Sequence, residues 1–266
     1  MNMDVKVDGL KTVAASGDAP FDAHKPTLVF IHGAGMDRTV WAMQARHPAF
    51  LAWNVAAVDL PGHGLSDGDA LTSIEDMAEW VVRLLDAMGV SKATLIGHSM
   101  GALVALEAAA RAPTRIERIA LLGVTYPMHV APGLLEVAKI NDISAVRMII
   151  GWAYAPGSGL GTGPAPGLRM TGAGHNLLAN ARPGVLHADL AACNVYSKGL
   201  DSAEKINIPT LIILGGRDRR ARPKGAAALA AAIPGADLIT LDRCGHMMMS
   251  EAPKEVVATL GTFLEG

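Results

Sequence analysis

Attack by an oxygen nucleophile can be built from three residue types: a serine, an imidazole to take its proton, and a carboxylate to fix the imidazole. In this sequence they stand at Ser99, His246 and Asp218. Ser99 is the centre of Gly97-His98-Ser99-Met100-Gly101, a Gly-x-Ser-x-Gly between the apolar run Lys92 to Ile96 and the alanine-rich run Ala102 to Ala110. A strand that reverses into a helix within a residue or two strains the central residue. It also presses the residues two positions either side against the adjoining backbone, where only very small side chains fit. Gly97 and Gly101 meet that demand and leave the Ser99 hydroxyl exposed at the carboxyl end of a strand. The Met100 N–H then opens a helix, where it can receive developing negative charge.

Asp218 follows the strand-like run Leu211 to Leu214 in Gly215-Gly216-Arg217-Asp218, and His246 follows the last such run, Ala236 to Leu241, in Cys244-Gly245-His246. Both should emerge at the sheet edge that carries Ser99. Asp59 and Asp242 compete for the acid's role, but Asp59 lies in a Pro-Gly turn and Asp242 stands close before His246. The chain order Ser, Asp, His also favours Asp218. His32 and His98 are each fixed beside a glycine turn and read as hydrogen-bonding groups rather than bases. His129, His175 and His187 read as solvent-exposed ahead of the alternative, contact with substrate.

The elements that position these residues follow from the patterning. Met3 to Val7 and Lys11 to Ala15, around Asp8-Gly9-Leu10, predict a hairpin that opens the sheet as an antiparallel edge. Thr27 to Ile31 predicts a strand ending in His32-Gly33-Ala34-Gly35, a loop able to offer a second backbone N–H, followed by the helical-looking Thr39 to His47. Asn54 to Leu60 is closed by Pro61-Gly62-His63-Gly64-Leu65-Ser66, which reads as a turn. Thr72, three before Glu75, predicts a capping box for a helix carrying Ile74, Met77, Val81, Leu84, Leu85 and Met88, with Gly89 ending it. Arg118 to Val124 gives the next strand, and Pro223 and Pro253 open later helices. Strands alternating with helices in this way predict an α/β fold with a mostly parallel sheet, helices on both faces, and ligands at the carboxyl ends of the strands.

From Tyr126 to Ala203 the alternation breaks. Leu134 to Trp152 and Gly184 to Tyr196 can form helices, while Ala155 to Gly174 is too dense in Gly and Pro to hold regular structure through its length and predicts a mobile loop. The expected organisation is a core of residues 1–125 and 204–266 with residues 126–203 inserted as a largely helical lid.

Composition sets the outer bounds. The chain has 266 residues, half of them apolar, and a formal net charge of −2, so no basic field attracts nucleic acid or an anionic membrane. A small neutral molecule is the expected partner. The N-terminus has Asp4 where a secretory signal would need a basic region, and no apolar run is long enough to span a bilayer, so a soluble, cytoplasmic protein is expected. Cys193 and Cys244 make neither a disulfide framework nor a metal set and read as reduced, buried residues. No metal is expected.

The four motifs, His32-Gly33-Ala34-Gly35, Asp59 to Ser66, Gly97 to Gly101, and Gly215 to Asp218 with Gly245-His246, resemble those of α/β-hydrolase fold enzymes over nearly the whole chain. The likeness is greatest to small serine carboxylesterases of bacteria. The resemblance implies hydrolysis of small or medium carboxylic esters through an acyl-enzyme, with Ser99, Asp218 and His246 as triad. It further implies oxyanion amides from Ala34, or Gly35, and Met100, and no cofactor. Gly35, Met36 and Met247 are candidates for contact with a small ester substrate, although Met247 to Met249 can equally be packing. Relatives that attack with Asp, the haloalkane dehalogenases and epoxide hydrolases, are excluded by Ser99. Carbon–carbon bond hydrolases usually carry Trp soon after the histidine, where this chain has Met247, and prolyl aminopeptidases usually carry Trp where it has Met100. Thioesterase and lactonase chemistry use the same constellation, and a ligand-binding receptor without turnover is the reading from a different class.

Overall fold

Apolar residues on both faces of consecutive strands demand cover on both sides, and the chain supplies it. In a computed structural model, which describes residues 2–17, 21–22, 24–158, 169–221 and 223–266, eight strands form one sheet in the order β1-β2-β4-β3-β5-β6-β7-β8. They are β1 (Asn2–Val7), β2 (Leu10–Ser16), β3 (Thr27–Ile31), β4 (Asn54–Val58), β5 (Ala93–His98), β6 (Ile116–Leu122), β7 (Thr210–Gly215) and β8 (Asp237–Leu241). From β4 through β8 all pairings are parallel, and β2 is antiparallel to both neighbours, so the hairpin closes one edge as the Asp8-Gly9 turn predicts.

Side chains alternate through the sheet. Val29, Ile31, Val58, Leu95, Leu121 and Ile212 face one layer, built on α2 (Ile74–Ala87) and α3 (Met100–Arg111). Leu28, Phe30, Ile96, Ala120, Leu122 and Ile213 face the other, with Trp41, Val256 and Leu260. The short α1 (Ala42–Ala45), preceded by a 3₁₀ turn at Arg38–Trp41, occupies the stretch predicted as a helix over Thr39 to His47. The helix cap is displaced by one residue from the expected capping box: Ser73, not Thr72, is the N-cap, its Oγ accepting the Asp76 N–H at 3.0 Å. Two adjacent hydroxyl-acid pairs at the same spacing cannot be told apart by pattern alone.

Between β6 and β7 the chain runs through α4 (Pro132–Lys139), α5 (Ile143–Ala153), α6 (Met170–Ala179), α7 (Val185–Val195) and α8 (Gly199–Ala203). Residues 170–174, expected to be irregular, form the first turns of α6. The mobile loop expected between 155 and 174 falls largely on 159–168, outside the described residues. The last of these helices, α8, packs against α3 and against α9 (Pro223–Ala232), and so joins the layer under the sheet. Finally α10 (Met248–Glu251) and α11 (Pro253–Glu265) close the opposite layer. Cys193 and Cys244 are unpaired and buried. Among the described residues no helix is long and apolar enough to cross a membrane, and no group of three or more His, Cys, Asp or Glu could hold a metal ion.

The strand order reverses between β3 and β5, since β4 lies on one side of β3 and β5 on the other. Loops leaving the carboxyl ends of these two strands diverge, and a crevice opens between them.

Candidate active site

Ser99 sits at that crevice, between β5 and α3, with φ 53° and ψ −112°. A non-glycine residue there costs of order 1–3 kcal/mol and persists only where its surroundings over-determine it. The surroundings do so. The Ser99 N–H donates to Leu122 O at 2.8 Å, and the Ser99 carbonyl accepts the N–H of Ala102 at 3.0 Å. A Cβ on Gly97 would run into the Gly101 carbonyl, and one on Gly101 would run into the carbonyls of Ile31 and His32. Both glycines are therefore demanded by backbone contact, as the sequence pattern predicts.

Asp218 and His246 come together from β7 and β8. The His246 Nδ1 lies 2.7 Å from Asp218 Oδ2, while Asp218 Oδ1 accepts the backbone N–H groups of Arg220 (2.7 Å) and Ala221 (2.9 Å). Burial alone would raise the Asp218 carboxyl, but the His246 ring and these amides outweigh it and hold it below the ordinary carboxylate range. An ionised carboxylate at Nδ1 fixes the proton there and leaves Nε2 with a free lone pair. Gly123, left-handed at φ 60°, makes room for the ring, since a Cβ there would stand 3.1 Å from His246. Asp59 is not the partner: it is buried against Arg38, with Nη1 to Oδ2 at 2.5 Å, and accepts the N–H groups of Arg38 and Leu65. Asp242 is exposed.

Ser99 and His246 line one cavity of about 360 Å³, together with Thr125, His129, Trp152 and Arg220. A larger cavity of about 550 Å³ lies elsewhere, along Ala155, Asp242 and Glu255. Gly35, Met36 and Met247 do not border the Ser99 cavity. Met36 and Met247 are buried, Met247 beside the equally buried Met248 and Met249, and Gly35 lies under Leu178 and Leu186. His129 is exposed and reaches the cavity, whereas His175 and His187 are half-buried.

The two histidines of the glycine turns are neutral. His98 donates from Nε2 to the His246 carbonyl at 3.0 Å, and its ring lies 4.7 Å from the His246 ring. Burial, then the neighbouring His246, lowers its pKa to about 3. His32 bonds Gly33 O through Nδ1 and accepts the Leu60 N–H at Nε2, and burial followed by His63 lowers it to about 4.

His63 behaves oppositely, and its role was not readable from the Pro-Gly turn that carries it. Its Nδ1 faces Pro61 O at 2.9 Å and its Nε2 faces Asp189 Oδ2 at 2.8 Å. Both partners can only accept, so both ring nitrogens carry protons. Burial opposes that charge, but the Asp189 carboxylate outweighs it and raises the His63 pKa. The same Asp189 oxygen takes the Gly35 N–H at 2.7 Å. Thus a buried ion pair ties α7 to the turn after β4, the Gly35 hydrogen bond ties it to the loop after β3, and among the described residues the N–H groups of Ala34 and Met100 remain uncommitted. Glu251 makes a second tie that sequence reasoning missed. It accepts from Gly245 N (3.0 Å), Ala155 N (2.9 Å) and Ser158 Oγ (2.9 Å), joining the His246 loop to the end of α5, where Ala153 O also takes the His246 N–H at 2.7 Å.

A family model described as "Alpha/beta hydrolase family" matches residues 28–259. The chain belongs to that family. Pimeloyl-[acyl-carrier protein] methyl ester esterase of Neisseria meningitidis serogroup A is 28% identical over 256 residues, covering 90% of this chain and 77% of that one. A 2-hydroxymuconate semialdehyde hydrolase of Pseudomonas sp. strain CF600 is 30% identical over 253 residues, covering 89% and 86%. The acetyltransferase component of the acetoin cleaving system of Cupriavidus necator is 42% identical over 97 residues, 36% of this chain, which thereby spans about a quarter (26%) of that longer protein. Among solved structures, a thermophilic esterase superposes with a TM-score of 0.83 at 27% identity, covering 100% of this chain and 97% of the other.

Proposed function

We propose that the protein hydrolyses carboxylic esters of small or medium size through an acyl-enzyme on Ser99. In this reading the Ser99 Oγ attacks the ester carbonyl as His246 Nε2 takes its proton, with Asp218 holding the ring and steadying its positive charge. The tetrahedral oxyanion is received by the N–H groups of Ala34 and Met100, the latter at the start of α3. His246 then returns the proton to the leaving alkoxide, and a water activated by the same nitrogen releases the acid. These steps need neither metal nor organic cofactor. Of residues 126–203, the part ahead of α8 acts as the lid of the site.

The observation that carries the reading is the strained Ser99 at the switch point, sharing a cavity with a His246 whose tautomer is fixed by Asp218. The esterases among the relatives support the substrate class. Thioester, lactone and carbon–carbon bond hydrolysis use the same groups, and Met247 after the histidine favours esters over carbon–carbon bonds. Turnover of a chromogenic acetate ester by wild type and Ser99→Ala tests the reading. Removing a triad serine is expected to cost about a million-fold in kcat. Retention of about one per cent or more by a folded Ser99→Ala would overturn it.

A further inference from the structure

The loop that supplies Asp218 continues into Arg219 and Arg220, and both border the cavity that holds Ser99 and His246. Neither has a carboxylate within salt-bridge distance among the described residues, whereas Arg38, Arg83 and Arg115 each have one and Arg111 has two. The nearby acid cannot serve them, because Asp218 has spent one oxygen on His246 and the other on backbone N–H groups. Arg220 is half-buried, with its guanidinium 5.9 Å from the centroid of Trp152, another cavity residue. Burial lowers its pKa, and the charge of nearby Asp218 offsets this only in part. Arg219 makes a single long contact, to Gly151 O at 3.5 Å. A guanidinium that is partly desolvated, set near an aromatic ring and without a carboxylate at salt-bridge distance is suited to a planar, bidentate anion.

We infer that Arg220, assisted by Arg219, binds an ionised carboxylate at the far end of the substrate, so that the preferred esters are half-esters of short dicarboxylic acids. This rests on the ester-hydrolase reading and adds its substrate class. It departs from the expectation of a neutral ligand, which came from the net charge of the whole chain: a net charge of −2 says nothing about two cations concentrated at one cavity.

The test compares kcat/KM for monomethyl glutarate with that for methyl valerate, a neutral ester of the same chain length. Wild type is expected to favour the half-ester by about tenfold or more, the scale of one charge-assisted contact. In Arg220→Met that ratio falls at least about tenfold, and Arg220→Lys restores part of it. Circular dichroism confirms that each variant is folded. Calorimetric titration with glutarate gives a readout independent of turnover, with binding weakened in Arg220→Met to the same degree. A ratio near one in wild type, a ratio unchanged in Arg220→Met, or glutarate binding indifferent to Arg220 would overturn the inference, even if neutral esters are cleaved through Ser99. Conversely, glutarate binding that depends on Arg220, in a protein that cleaves no ester, would sustain the anion site and sink the esterase reading. Inorganic phosphate in place of glutarate separates a carboxylate site from a general anion site: phosphate binding as tightly would overturn the carboxylate assignment.

Discussion

Ser99 is held at φ 53° by its own backbone hydrogen bonds and by the close backbone approaches at Gly97 and Gly101, and the proposed chemistry depends on its staying there. The same dependence applies to Gly101, whose Cα touches the end of β3. Gly101→Val should cost several kcal/mol or abolish folding, because the added atoms meet main-chain carbonyls that cannot move aside, and overpacking of this kind costs about 1–3 kcal/mol even where neighbours can adjust. Chemical denaturation would measure it. The choice of acid is equally specific. Asp218→Asn should lower kcat on acetate esters by about ten-thousand-fold, through loss of the tautomer that frees Nε2. Asp242→Asn, at an exposed position, should stay within about twofold, since surface substitutions rarely matter. Steady-state kinetics on the two variants side by side checks the assignment.

At the scale of elements, two of the helices between β6 and β7 are fastened to the loops of the site. The α7 helix reaches the loop after β3 through Asp189, and α5 reaches the His246 loop through Ala153 and Glu251. Asp189→Asn keeps the shape but removes the charge that holds His63 doubly protonated, and it should lower kcat about tenfold, equivalent to about 1.4 kcal/mol of barrier, by letting the Gly33 to Gly35 loop drift, with KM little changed. The pH dependence has a definite sign. His63 has a folded pKa above the ordinary value of about 6.5, so its pairing contributes fully below that pH and is lost as pH rises through the raised value. The difference in melting temperature between wild type and His63→Gln should therefore be largest below about pH 6.5 and shrink in alkali, measured by thermal melts across pH. A gap that widens as pH rises would contradict the ion pair.

These ties also mark where the sequence stops being informative. Gly97 to Gly101, Asp218 and His246 are legible because each obeys a local rule: a steric demand at a turn, or a place in a loop after a strand. The Asp8-Gly9 hairpin is legible for the same reason. His63 and Asp189 stand 126 residues apart, and nothing local distinguishes His63 from an ordinary turn residue or Asp189 from a solvent-facing acid on a helix. Glu251 reads as one more charge before Pro253. The cap at Ser73 rather than Thr72 was ambiguous because both carry an acid three residues on. Pairings of this kind exist only once the chain has folded.

Across the whole molecule, the sheet separates what must be rigid from what must recognise. Its two apolar faces bury β3, β5 and β7 completely, so the carboxyl ends that carry the loops of Ala34, Ser99 and Asp218 are set by the core. In the proposed chemistry, recognition falls to the cavity wall contributed by Trp152, His129, Arg219 and Arg220. A remote anchor should therefore affect stability and not turnover. Glu107 accepts from Tyr196 Oη at 2.7 Å and Ser202 Oγ at 2.6 Å, joining α3 to the chain around α8. Tyr196→Phe leaves the carboxylate with Ser202 and Arg111 and should cost about 1–2 kcal/mol of stability, the scale of one buried hydrogen bond to a charged group, with kcat unchanged. Denaturant titration and ester kinetics on the same preparation would check both halves.

The claim on which the rest depends is that Ser99 is the nucleophile, activated by His246. Its most direct test is labelling with an ester-mimicking fluorophosphonate, read by mass spectrometry of the intact protein and of its proteolytic peptides. One phosphonyl group per chain is expected, located on Ser99, absent from Ser99→Ala and formed far more slowly by His246→Ala. Labelling at any other residue, or equal labelling of wild type and His246→Ala, would contradict it.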